Sequence, residues 1–104
     1  MSRCKRLEPV PENVRRAADV LERRHAVSIL YASHQGCTRF TEFRRALGTI
    51  PPATLAQRLG ELERAGVLRR VVRDTRPPHV EYVLTNEGMQ LKALLDALAV
   101  WARA

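Results

Sequence analysis

A chain of 104 residues, 45% hydrophobic and 28% charged, has room for one domain with a modest core, and at that size burial alone leaves it marginal. No apolar run approaches the roughly 18 residues that cross a bilayer, and the basic opening "MSRCKRLEPVPEN" lacks the apolar heart of a signal peptide, so the expectation is a soluble, cytoplasmic chain with no membrane partner. The net charge of +7 peaks in the middle, where residues 37 to 80 carry 9 Lys+Arg against 4 Asp+Glu, a bias that suits a polyanion although a solvated basic face gives the same count.

After an extended start containing Pro9 and Pro11, the run from Glu12 to Leu21 sets Val14, Ala17, Ala18 and Leu21 at helical spacing and predicts a first amphipathic helix. The next run, "HAVSILYASHQG", gathers Ala26, Val27, Ile29, Leu30 and Tyr31 in a largely apolar segment that stops at Gly36, as a core helix does. A short third helix is expected from about Thr41 to Leu47, with Phe43 and Leu47 on one face and Gly48 ending it. "PPATLAQRLGELERAG" then repeats Leu55, Leu59 and Leu62 at spacings of four and three, which predicts a helix from about Pro52 to Ala65 buried along one stripe and closed by Gly66. Only "GTIPP" separates these two helices. A short connection with a glycine before a proline-started helix is what a helix-turn-helix needs.

Val67 to Arg73 and Val80 to Leu84 are rich in β-branched residues, and Val80, Tyr82 and Leu84 alternate with His79, Glu81 and Val83 as in a half-buried strand, so a hairpin follows. Its tip, "DTRPPH", contains Pro77 and Pro78, which restrict the backbone toward extended geometry. Thr85 is placed to cap a final helix whose Leu91, Leu94, Leu95, Leu98 and Trp101 recur at three and four. Part of that face seats the helix on its own core. The remainder, with Leu94, Leu98 and Trp101, and Val14 and Leu21 of the first helix, is expected to pair two copies of the chain; a terminal helix closing its own core is the alternative.

Two leading helices, a helix-turn-helix pair, a two-stranded hairpin and a closing helix make a mainly α winged helix-turn-helix, a single domain over residues 1 to 104. In such an arrangement one helix fits the major groove of double-stranded DNA while basic groups beside it neutralise phosphates. The helix from Pro52 is the candidate reader. With its leucines buried, Ala53, Thr54, Gln57 and Arg58 form the expected exposed face near its start. Gln suits adenine, Arg suits guanine, and an Ala or Thr methyl suits the thymine methyl. Arg69, Arg70, Arg73 and Arg76 crowd the hairpin with Asp74 as the nearby acid, and Arg39, Thr41, Arg44 and Arg45 flank the preceding helix; all eight are candidate DNA contacts. An ordinary solvated polar surface is the competing explanation for each group.

The string from Arg39 to Gly88 resembles the HxlR-type winged helix-turn-helix regulators, relatives of the MarR group. The motifs occur in order: R-F-x-E-[LF], L-x-x-R-L-x-x-L-x-x-x-G, P-P-x-V-E-Y and L-T-x-x-G, and the likeness covers about residues 14 to 101. It implies a homodimeric transcriptional regulator of bacterial or archaeal type, paired through the amino-terminal and last helices, and associated with the nucleoid. Two positions depart from the family. Members commonly carry a cysteine about thirteen residues before a tryptophan in the second helix; setting that tryptophan at His25 puts the cysteine at Glu12, so redox sensing does not transfer to Cys4. Pro51 stands where a Ser or Thr usually caps the reading helix, which argues for a shifted or weakened helix start.

Cys4 and Cys37 are too few for a disulfide framework, and with His25, His34 and His79 scattered no metal-ligand spacing appears, so neither metal nor cofactor is expected. No nucleophile–base spacing or phosphate-cradling glycine loop suggests an enzyme. The main rival to DNA recognition is a winged helix used as a protein-interaction module, since a fold hosts more than one function.

Overall fold

The structure, a computed structural model, describes residues 7–103; Cys4 and the rest of the first six residues lie outside them. The helices are α1 (Glu12–Leu21), α2 (Ala26–His34), α3 (Phe40–Leu47), α4 (Pro52–Arg64), α5 (Asn86–Met89) and α6 (Lys92–Arg103), with strands β1 (Leu68–Arg73) and β2 (His79–Leu84) between α4 and α5. Apolar spacing dictates the core. Ile29 and Leu30 of α2 meet Phe43 of α3, the leucine stripe of α4, Leu68 of β1 and Leu95 of α6 in one buried cluster, and Ile50 plugs the link between α3 and α4. Each of those leucines contributes about 1.5–3 kcal/mol by leaving water. The two helices of the helix-turn-helix are therefore fixed through their shared apolar floor.

Local chemistry sets the ends. Glu42, in the first turn of α3, reaches back to accept the backbone amides of Thr38 and Arg39 at 2.9 and 3.0 Å. Those amides, Arg39 first, hold its carboxyl below the usual carboxylate range. Gly48 ends α3 with φ +69°, a left-handed turn that a side chain would strain. As Pro51 requires, α4 begins without a side-chain cap. The start is nonetheless unshifted: Pro52 occupies the first helical position, where its missing N–H has no intrahelical partner to lose, and the Pro51 carbonyl accepts from Leu55 N at 3.0 Å.

β1 and β2 form an antiparallel ribbon in the register Leu68↔Leu84 to Arg73↔His79. The segment ahead of α3 extends it, with Arg39 bridging to Glu81 and Tyr82 N donating to the Thr38 carbonyl at 2.8 Å. The expected in-and-out alternation of β2 is corrected: all six of its residues are half-buried, because α2, α3 and α5 all pack against so short a strand. At the tip the Arg76–Pro77 peptide is cis.

The single final helix read from the sequence is two. Thr85 caps α5, its Oγ1 accepting from Gly88 N at 3.1 Å and donating to the Gly66 carbonyl at 2.6 Å. A Cβ at Gly88 would collide with the Val67 carbonyl. The Gly88 carbonyl in turn accepts from Leu91 N at 3.2 Å, a tight turn, and from the His34 ring at 3.1 Å. These contacts with α2 and the start of β1 pin α5 and let the chain change direction into α6. α1 has no buried residue; Val20 and Leu21 touch the core from its rim. The molecule measures 62 × 29 × 24 Å.

Candidate nucleic-acid interface

The four residues from Gly48 to Pro51 turn α3 into α4, and β1 starts four residues after α4 ends, so α4 and the hairpin are neighbours in chain and in space. Ala53 and Gln57, one turn apart, are exposed on α4, and Ala56, which the sequence reading passed over, joins them. Thr54 is half-buried beside them. Gln57 Nε2 lies 3.3 Å from Glu61 Oε2, a long bond that leaves the amide oxygen free to turn outward.

Arg58 belongs elsewhere. Its side chain is only 16% exposed; Nε donates to the Arg24 carbonyl at 2.9 Å and one terminal nitrogen pairs with Glu61 at 3.2 Å. The expectation of an outward, base-reading arginine is replaced by a tie between α4 and the turn joining α1 to α2. The reason is visible in the spacing. Position 58 follows Leu55 by three and precedes Leu62 by four, which puts it beside the buried stripe.

Arg39, Thr41, Arg44 and Arg45 are exposed around α3, and Arg69, Arg70, Arg73 and Arg76 are exposed on the hairpin. The hairpin arginines do not act as one group. Side chains alternate along a strand, so Arg69 and Arg73 share a face of β1 with Val71 between them, while Arg70 lies on the other and Arg76 at the tip. Among the described residues, no ion pair engages Arg69, Arg70 or Arg76; Arg73 Nε binds Glu81 Oε1 at 2.9 Å.

A shell of hydrogen bonds holds this end. The second Glu81 oxygen accepts from His79 Nε2 at 2.9 Å, His79 Nδ1 lies 3.0 Å from Thr75 Oγ1, and Thr75 donates to the Pro77 carbonyl at 2.8 Å. His79 and then Arg73 hold the Glu81 carboxyl below its ordinary range. Away from the interface, the half-buried Cys37 thiol is pushed up, by burial and then by the Glu42 carboxylate, which makes it a poorer nucleophile than a free cysteine. Among the described residues no cluster of three or more His, Cys, Asp or Glu could hold a metal, and no helix is long and apolar enough to cross a membrane.

Comparison with known proteins agrees with this architecture. The chain is 44% identical over 78 residues to the HTH-type transcriptional regulator YtfH of Escherichia coli (strain K12); the match takes in 75% of this chain and 62% of YtfH. It is 36% identical to the HTH-type transcriptional regulator YvaP of Bacillus subtilis (strain 168), over 84% of this chain and 81% of that protein. Among solved structures, the oxidised form of the redox regulator HypR superposes with a TM-score of 0.81 at 33% identity, covering 88% of this chain and 94% of HypR. This chain and HypR share the winged-helix fold. The pattern of the HxlR-like helix-turn-helix family matches residues 20–104, and with this fold beneath it the chain belongs to that family.

Proposed function

We propose that the protein is a transcriptional regulator that binds double-stranded DNA sequence-specifically as a homodimer, with residues 1 to 104 forming one DNA-binding unit that works at the nucleoid. The observation that carries this reading is the pairing of an α4 surface of small and amide side chains, Ala53, Ala56 and Gln57, with a cationic hairpin that follows α4 directly and packs against it. Such side chains approach base edges, while Arg69, Arg70, Arg73 and Arg76, with Arg39, Thr41, Arg44 and Arg45, supply phosphate contacts on either side. Thr54 contributes at the edge of the reading face. Arg58 acts by holding α4 in place.

The dimer rests on what the single chain leaves uncovered. Val14 of α1 is 50% exposed, and α6 offers Leu94, Leu98 and Trp101 at 42%, 39% and 79%. A groove of about 860 Å³ also opens between α1 and the body, lined by Ala17, Leu21, Val67 and Leu91 among others. Leu21 sits on the groove wall and against the core. A second copy laying its terminal helices against this surface covers apolar area that one small domain leaves in water.

Fluorescence anisotropy with a duplex taken from upstream of its own gene tests the proposal. Preferential binding over a random duplex at moderate salt is expected, with affinity falling at a log-log slope of roughly −0.9 per phosphate neutralised. Equal binding to both duplexes defeats sequence-specific recognition.

A further inference from the structure

An acid placed among proposed phosphate-binding arginines repels the ligand, so Glu81 calls for a physical reason. In the β1–β2 register Val71 lies opposite Glu81, which makes Arg69 and Arg73 its diagonal neighbours on the same face, and Arg39 bridges to it from the other side. It stands amid the cations of the wing. Yet it spends both oxygens on two partners, Oε1 on Arg73 Nε and Oε2 on His79 Nε2, each at 2.9 Å. The Glu81 side chain is 19% exposed and that of Arg73 49% exposed, so the acid is drawn in while the guanidinium reaches out. Only Nε of Arg73 is engaged among the described residues. Both terminal nitrogens remain available as a fork for one phosphate. The brace continues from His79 through Thr75 to the Pro77 carbonyl, tying the same carboxylate to the hairpin tip.

We infer that Glu81 is a positioning residue for DNA binding: it grips Arg73 by Nε, orients the free end of the guanidinium toward the phosphate backbone, and shares this grip with the tip through His79. The inference rests on the DNA-binding reading above and adds to it a residue that carries the wrong charge for a direct contact. The positioning effect and the charge effect have opposite signs. By charge alone, removing an anion from a cationic wing strengthens duplex binding. By positioning, it weakens binding, because an Arg73 released from Glu81 loses side-chain entropy when it docks.

The full chain and its Glu81→Gln, Arg73→Ala and doubly substituted variants are titrated by anisotropy with the upstream duplex and with a random duplex across a salt series. Glu81→Gln is expected to weaken binding about threefold to fivefold on both duplexes, as loss of a half-exposed ion pair allows, and to flatten the salt slope by about one per wing. In the Arg73→Ala background the same change is expected to leave binding unchanged or to tighten it. Tighter or unchanged binding by Glu81→Gln in the parent chain overturns the inference, as does an equal weakening in both backgrounds. If Glu81→Gln fails to fold, Arg73→Lys tests the same grip, because it keeps the charge and loses the Nε donor; wild-type affinity in that variant overturns the inference. Absence of duplex binding by the parent chain overturns the DNA-binding reading itself, a result distinct from any of these.

Discussion

At Gly88 the backbone of α5 presses so closely on the Val67 carbonyl that a methyl group has no place, and the Leu84 side chain closes the other side. This contact decides the sign of a substitution. In an exposed helix, alanine in place of glycine stabilises by roughly 0.5–1 kcal/mol. Here the Cβ must push the start of β1 away from α5, and the overpacking cost of about 1–3 kcal/mol exceeds that gain. Gly88→Ala is expected to destabilise the protein by about 2 kcal/mol, measured as a lower urea midpoint at constant slope. A rise in the midpoint would show that α5 can lift from Val67 freely. The L-T-x-x-G motif thus has a mechanical meaning: its threonine ties α5 to Gly66 and its glycine admits the carbonyl of the next residue.

Within elements, the division of labour on α4 follows from its period. Leu55, Leu59 and Leu62 face in, Ala53, Ala56 and Gln57 face out, and Arg58 lies on the boundary, bound to Arg24 and Glu61. Arg58→Ala is therefore expected to cost about 1–2 kcal/mol of stability, the loss of a half-buried charged hydrogen bond, and to weaken DNA binding uniformly across sequences. Gln57→Ala is expected to leave stability within about 0.5 kcal/mol while reducing the preference for one base pair by about 1–3 kcal/mol. Thermal melts beside titrations of single-base operator variants separate the two; a selective specificity loss in Arg58→Ala refutes the assignment. Much of this was legible in the sequence. The leucine stripe gave α4 to within a residue of its end, and β-branched runs located both strands. Arg58 was placed outward because its residue type outweighed its spacing. The break after α5 depends on Gly88 meeting Val67 and His34, partners 21 and 54 positions away, and no local pattern encodes contacts at that distance. Glu81 escaped notice for a similar reason, since its link to Arg73 exists only once the strands are in register.

Across the whole molecule, the proposed dimer would link stability and recognition at the terminal helices. α1 has no buried residue, and α6 turns Leu94, Leu98 and Trp101 outward, so both helices leave apolar surface uncovered. A twofold pairing of these helices fixes the separation of two α4 helices, and reading helices about 34–36 Å apart meet successive major grooves on one side of B-DNA. In the proposed dimer two weak half-site contacts would combine into one strong one, because the second contact forms within an already bound complex. Trp101 is the better probe than Leu95, which is buried in the protomer core. The double variant Leu98→Asp, Trp101→Ala is expected to sediment near the monomer mass of 11.8 kDa, where the parent chain sediments near twice that value. Its melting temperature should lose the concentration dependence of a linked dimer. Its operator affinity should fall by about a hundredfold or more, within the range by which linking two sites raises avidity, while its weak binding to a single half-site is retained. A variant that remains dimeric would place the interface elsewhere, and a monomer that binds the full operator as tightly as the parent would separate dimerisation from DNA recognition.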